Sequence, residues 1–338
     1  MRTVSSAPMA STVEVLPFTG DHLDAAAELL AQRQRSLRSL RPELPAAYAE
    51  AVGCRELLSS LLERDGCHGV VARTDGGIGA YLLGFPRYEP IWGRACWSPI
   101  EGQAYDPSVG SDVMRDIYAV WSRHFVDRGF FRQYVYAPAD DAALLDTWFL
   151  TGFGKMQAQA VRDLDLDPPP GTSFTVRPVA PEDLDFIEPL LGLIPVGLVK
   201  SPAFAIALPE WFAELRGEYA EELANSASLY WLAEEDGQAI GLAGFAVDEP
   251  GVMVPEGARY LADAKTAPAA RGRGVMRALL AAAFAEARAA GSHYCITDWR
   301  TASLPAHRTW TALGFKPTDF RLHRQIDERI AWADGRQG

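Results

Sequence analysis

The densest concentration of chemistry-bearing residues in this 338-residue chain is the run Pro268-Ala269-Ala270-Arg271-Gly272-Arg273-Gly274-Val275. Its glycines allow successive backbone amides to turn toward one point and a ligand to come close to the main chain. The stretch from Val275 to Ala290, stopped by Gly291, reads as a helix. The amides of the run therefore stand at a helix N-terminus, where the peptide dipoles favour negative charge. Arg271 and Arg273 add two permanent charges suited to phosphate oxygens. Together these features describe a cradle for a diphosphate. The same letters also suit a surface loop whose glycines serve turns and whose arginines are solvated. Near the run, Asp263, Asp298 and Glu256 are candidates to take a proton from a nucleophile. Asp263 shares a strand face with Lys265 by the two-residue period, so it reads either as a general base or as half of an ion pair.

The elements that must hold these residues follow from pattern. Phe174 to Pro178 alternates like an edge strand, and Pro181-Glu182-Asp183 opens a helix with acids in its first turn. Leu229–Ala233 and Ala239–Val247 are expected strands, joined by a turn at Glu235-Asp236-Gly237-Gln238. Arg259–Thr266 is another strand, followed by the Arg/Gly run and its helix. Tyr294–Asp298 is a strand, Ser303–Leu313 a helix closed by Gly314, and Phe315–Gln325 a last strand or hairpin. This order predicts an α/β fold: a mixed sheet flanked by helices.

The whole arrangement occurs twice. Pro17, Leu23, Asp24, Asp75-Gly76 and Pro107 recur as Pro178, Leu184, Asp185, Asp236-Gly237 and Pro268, at an offset of 161 residues. At an offset of 162, Val113-Met114-Arg115, Gly129, Trp148 and Gly152-Phe153 recur as Val275-Met276-Arg277, Gly291, Trp310 and Gly314-Phe315. A period this long means two copies of a domain rather than a solenoid. The expected organisation is a first domain over 12–163, a linker over 164–173 and a second domain over 174–330. The linker carries three consecutive prolines, which lack amide donors and continue neither sheet nor helix. In the first copy the loop equivalent to the Arg/Gly run is Pro107-Ser108-Val109-Gly110-Ser111-Asp112, without arginine and with an added carboxylate. That copy is read as degenerate.

Composition bounds the rest. With 48% hydrophobic and 22% charged residues, the chain can bury a sizeable core and is neither disordered nor fibrous. The net charge is −12, and residues 1–170 carry 16 basic and 22 acidic side chains, as do residues 171–338. Neither half is a general binder of nucleic acid or anionic membrane. Cys54, Cys67, Cys96 and Cys295 form no C-x-x-C pair and read as reduced thiols in a cytoplasmic protein. Met1–Pro8 has no apolar core for a leader, and no run is long enough to span a bilayer. No metal site is expected. The cluster Arg33, Arg35, Arg38 and Arg41 reads as a solvated or ion-paired helix face.

An R-x-x-G-x-G/A loop after the fourth strand, followed one strand later by N-x-x-A-x-x-x-Y-x-x-x-G-F, is the acetyl-CoA signature of the GNAT N-acetyltransferases. Arg271-Gly272-Arg273-Gly274-Val275-Met276 and Ser303 to Phe315 resemble it. Through the repeat, the whole chain resembles a tandem GNAT protein with the second copy intact. The resemblance implies direct attack of an acceptor amine on the thioester within a ternary complex. It implies a diphosphate site at Arg271, Gly272, Arg273, Gly274, Val275 and Met276. The pantetheine arm and acyl group are implied beside Ala264, Thr266 and Ala267, with Ser303, Ala306 and Trp310 bordering the arm. Met276 replaces a small residue and can point into the core. Ser303 stands where the family has Asn; it is a candidate proton donor to the thiolate or simply the N-cap of its helix. Trp310 stands where the family's tyrosine acid usually lies, and an indole N–H is no usable acid. The acceptor side is implied to be covered by Leu193–Lys200, Phe204, Leu208, Trp211 and Phe212, an apolar segment that suits a small, partly apolar amine and equally suits ordinary helix packing or packing against the other copy. The expected partners are acetyl-CoA and that amine, in a monomer or homodimer. The rival function class is a non-catalytic acyl-CoA-binding or regulatory module.

Overall fold

The computed structural model describes residues 13–225, 228–247, 250–333 and 335. The Met1–Pro8 segment considered above as a leader lies outside them. No helix among the described residues is long and apolar enough to cross a membrane. The chain packs as two compact units, Met1–Gly154 with Leu322–Gly338, and Lys155–Arg321.

Unit 1 runs β1 (Glu14–Pro17), α1 (Leu23–Leu40), α2 (Ala51–Leu62), β2 (His68–Thr74), β3 (Gly77–Glu89), β4 (Gly93–Ser98), β5 (Gln103–Tyr105), α3 (Val113–Val126), β6 (Arg132–Pro138) and α4 (Ala142–Leu150). Its strands lie in the order β1-β2-β3-β4-β6, with β5 on β3. Only β4 and β6 pair in parallel; the other pairs are antiparallel. Helices α1 and α2 bury Leu30, Cys54 and Leu58 against Val71, Tyr81 and Leu83 of the sheet.

The strand β7 (Gly154–Asp163) ends the first sequence repeat, but from Lys155 onward it belongs to unit 2. There follow β8 (Thr175–Pro178), α5 (Leu184–Leu191), α6 (Leu193–Lys200), α7 (Pro209–Ala224), β9 (Leu229–Glu235), β10 (Gln238–Val247), β11 (Arg259–Thr266), α8 (Val275–Ala289), β12 (Tyr294–Arg300), α9 (Leu304–Ala312) and β13 (Lys316–Gln325). The unit 2 order is β8-β9-β10-β11-β12-β7-β13, with β13 belonging to this unit as far as Arg321. β12 pairs antiparallel with β7 over seven positions, from Tyr294↔Asp163 to Arg300↔Gln157. One face of this sheet carries α8, whose Leu279, Leu280 and Phe284 pack with Phe245, Leu261, Trp299 and Trp310. Full burial of each such side chain contributes about 1.5–3 kcal/mol. The other face carries α5, whose Ile187, Leu190 and Leu191 meet Leu232 and Leu242.

The two copies repeat in detail as well as in order. Trp148 meets Phe153 edge-on, with ring centres 5.2 Å apart, and Trp310 meets Phe315 likewise at 5.4 Å. The sequence-derived strands and helices of the second copy fall where the pattern places them, within two residues at each end. Two readings differ. Pro181–Asp183 is a separate 3-10 turn ahead of α5. Arg33 is not on a solvated face: its guanidinium turns inward and donates to the carbonyls of Ile100 and Gln103 at 2.8 and 2.6 Å. The proline-rich connector is docked along unit 2. Leu164 is buried and its amide donates to His293 O, and Arg277 Nε donates to Asp167 O.

Candidate active site

Strand β11 begins in parallel register with β12, and the pairing ends at Leu261↔Thr297. On its other edge β11 stays paired with β10 as far as Gly241↔Thr266. That ladder steps from Gly244↔Asp263 to Phe245↔Leu261, which makes Ala262 the extra residue of a bulge. The bulge bends β11 at the point where it parts from β12, and a gap opens. Ala267 N–H donates to Ile240 O at 2.9 Å. Alternation along the strand then turns the Ala264 and Thr266 amides away from β10 and toward the gap. Ala264, Ala267, Met276 and Ala306 pack partly buried against the α8 core, so the residues around the gap are mostly short.

The Arg/Gly run lies at the head of α8. Gly272 and Gly274 hold φ of 75° and 79°, a left-handed conformation that a side chain disfavours. A Cβ on Gly274 would also lie 3.2 Å from Pro169 of the docked connector. Gly274 is the N-cap of α8, so the amides of Val275, Met276 and Arg277 have no acceptor within the helix. The two arginines are used differently. Arg271 is exposed and makes one long contact, from Nε to Thr266 O at 3.4 Å. Arg273 is tied by its guanidinium to Glu235 Oε1 at 2.6 Å and Ser173 Oγ at 3.1 Å. These two donors hold the Glu235 carboxyl below its ordinary range. No local pattern marks this pairing, because Glu235 lies 38 residues away at the end of β9.

On the opposite face of the sheet lies a buried polar cluster. Asp263 Oδ2 accepts from Tyr219 OH at 2.6 Å and forms an ion pair with Lys265 Nζ at 2.9 Å. Lys265 Nζ also donates to Tyr219 OH and, at 3.4 Å, to Leu191 O. The ammonium thereby spends its three donors, with its side chain 2% exposed. Burial lowers the Lys265 pKa, an effect that Asp263 opposes. Burial beside the Asp263 carboxylate raises the Tyr219 pKa. Among the described residues, Asp263 Oδ1 is buried and has no hydrogen-bond partner. Of the two sequence-level alternatives, the ion pair is the one present, and Asp263 keeps one oxygen uncommitted. Tyr219, 44 residues away on α7, is a member that local pattern could not reveal.

The remaining candidates separate. Asp298 accepts from Tyr260 OH at 2.6 Å and from Gln157 Nε2, and burial raises its pKa. Glu256 is exposed in the loop before β11. Ser303 is the N-cap of α9 by its backbone, its carbonyl accepting from His307 N, while its hydroxyl makes no capping bond. Trp310 is 7% exposed and packs into the α8 core.

Unit 1 has the same places filled differently. Gln103, at the position equivalent to Ala264, is fully buried. Its Nε2 donates to Tyr136 O on β6, and its Oε1 accepts from Trp148 Nε1 at 3.1 Å. One amide side chain therefore ties β5 to β6 where unit 2 has its gap. The loop before α3 also closes on itself: Val109 and Gly110 amides donate to Asp106 O, and the Ser108 amide to Asp106 Oδ1.

Residues 200–315 match the model of the acetyltransferase (GNAT) family. Among solved structures, a GCN5-related N-acetyltransferase from Sphaerobacter thermophilus is similar over 95% of this chain and 96% of its own, at 17% identity and a TM-score of 0.56. A GCN5-related glucosamine N-acetyltransferase region of a fungal multi-domain GH3 β-N-acetylglucosaminidase is similar over 95% of this chain and 39% of that one, at 14% identity and a TM-score of 0.51. A tandem GNAT protein from the clavulanic acid biosynthesis pathway aligns over 94% and 99% of the two chains, at 14% identity and a TM-score of 0.48. No protein of curated function matches the sequence.

Proposed function

We propose that this chain, a tandem GNAT fold whose residues 200–315 form an acetyltransferase (GNAT) family domain, transfers an acetyl group from acetyl-CoA to the amine of a small acceptor, and does so in unit 2 alone. The observation that carries the reading is the gap between β11 and β12, with the Ala264 and Thr266 amides turned toward it and an unpaired helix N-terminus at the Arg271–Gly274 loop. The residues present fit the co-substrate. Arg271, Gly272, Arg273, Gly274, Val275 and Met276 would hold the diphosphate, by amides and by the Arg271 charge. Ala264, Thr266, Ala267, Ala306 and Trp310 would border the pantetheine arm. An amide of β11 would polarise the acyl carbonyl. The acceptor nitrogen bonds to the carbonyl carbon, the carbon–sulfur bond breaks, and the nitrogen gives up a proton to Asp263. The thiolate takes one from Ser303 or water, or leaves unaided, since a thiol pKa is only about 8.5.

Calorimetry tests the reading. One acetyl-CoA per chain is expected, because Gln103 occupies the unit 1 gap and Asp106 consumes the loop amides. A stoichiometry of two would overturn the assignment to unit 2 alone. The second reading, an acyl-CoA-binding module without turnover, is favoured by the neutralisation of Asp263 by Lys265. Tight CoA binding with no acetylation across an amine panel would establish that reading instead.

Trp310 provides a further check. It packs against Phe315 as Trp148 packs against Phe153, so its role is shape rather than acid catalysis. Trp310→Phe is expected to keep most of the turnover, and Trp310→Tyr not to raise it. A large gain with Tyr, read from steady-state kcat, would mean that a missing acid limits the enzyme.

A further inference from the structure

Helices α6 and α7 have no fully buried side chain, whereas α5 before them has Ile187, Leu190 and Leu191. The same segment holds six large apolar residues in the open: Ile194, Val196, Val199, Phe204, Ile206 and Phe212, with Phe204 79% exposed. Phe204 also has φ of 41°, a left-handed conformation costly for an aromatic residue. Ser201 O and Leu198 O hold this turn, accepting from the Phe204 and Ala205 amides. Large apolar side chains left in the open along one segment point to a binding surface.

Phe212 and α6 connect this segment to the buried cluster. The Phe212 ring lies against Gly192, within 3.3 Å of where a Cβ would sit. The neighbouring Leu191 carbonyl accepts from Lys265 Nζ, and Lys265 is ion-paired with Asp263. α6 itself packs on β11. Through Phe212 and α6 the apolar segment thus adjoins a carboxylate with one uncommitted oxygen, which is complementary to an amine on an apolar body. We propose that the acceptor is a primary amine carrying an aryl or alkyl group, and that Phe204, Ile206 and Phe212 take up that group while Asp263 Oδ1 accepts from the amine nitrogen. This rests on the acetyltransferase reading above. Because α6 and α7 are anchored without fully buried side chains, the segment can shift to admit a ligand to the covered oxygen.

The test compares phenethylamine and octylamine with ethanolamine as acceptors, in the full chain and in Phe204→Ser and Phe212→Ser. Both changes replace exposed rings, and thermal unfolding verifies that each variant is folded. The proposal expects the two apolar amines to be the better substrates. It expects each variant to lower kcat/KM for them about tenfold, mainly through KM, from lost apolar burial. The kcat/KM for ethanolamine should fall less than that for the apolar amines, and the Kd for CoA should stay unchanged. A preference for ethanolamine, or variants that leave the apolar amines unaffected, would overturn the proposal while leaving the acetyltransferase reading intact. If size-exclusion chromatography shows a dimer that Phe204→Ser dissociates, the surface belongs to a second copy and the proposal fails. If CoA does not bind at all, the acetyltransferase reading fails first and takes this one with it.

Discussion

Asp263→Asn is expected to reduce amine acetylation at neutral pH about a hundredfold or more, the usual size of a general-base contribution. The geometry requires a control, because Asp263 is also a structural partner. In the single variant the Lys265 ammonium, 2% exposed, would face a neutral amide. Breaking a buried pair by removing one partner costs about 3–5 kcal/mol. Thermal unfolding of Asp263→Asn should therefore shift well below that of the parent, and lost turnover alone would not identify a base. The double variant Asp263→Asn/Lys265→Met removes both charges and should recover most of the stability, since replacing a buried pair by uncharged groups is often nearly neutral. Its turnover should remain about a hundredfold down. A double variant as active as the parent would show that Asp263 serves only to satisfy Lys265.

Arg271→Glu is expected to weaken acetyl-CoA binding about tenfold or more, through loss of a charge-assisted phosphate contact and added repulsion. Arg273→Ala should cost less. Arg273 is already satisfied by Glu235 and Ser173, and both can turn to water when it is removed. Arg115→Glu, beside the corresponding loop of unit 1, should leave the affinity unchanged. Calorimetry on the three variants gives the order directly. Equal losses at Arg271 and Arg115 would move the diphosphate site away from the α8 loop.

The features legible in sequence were those written in short-range pattern or in an exact repeat. The 161- and 162-residue offsets foretold two copies of one sheet-and-helix plan, and the Arg/Gly run foretold a loop with two left-handed glycines at the head of α8. What escaped were pairings that only tertiary structure creates. Tyr219 carries no local mark that it meets Asp263 across the sheet face. Arg273 looks identical to Arg271 as a letter, and only the approach of Glu235 separates them. Gln103 could have been found, since the repeat aligns it with Ala264, but a buried amide bridging two parted strands has no sequence signature of its own.

The ladder between β12 and β7 has a consequence for the history of the chain. A break at Pro168–Pro170, where composition marks the seam, would strip unit 2 of a strand and leave Tyr294–Arg300 with a bare row of N–H and C=O groups. Such an edge recruits foreign strands. The two halves therefore do not separate cleanly at the seam: the later one encodes a sheet that takes one of its strands, β7, from the earlier one. Selection can keep the earlier copy, with its gap stitched by Gln103, for the strand it lends.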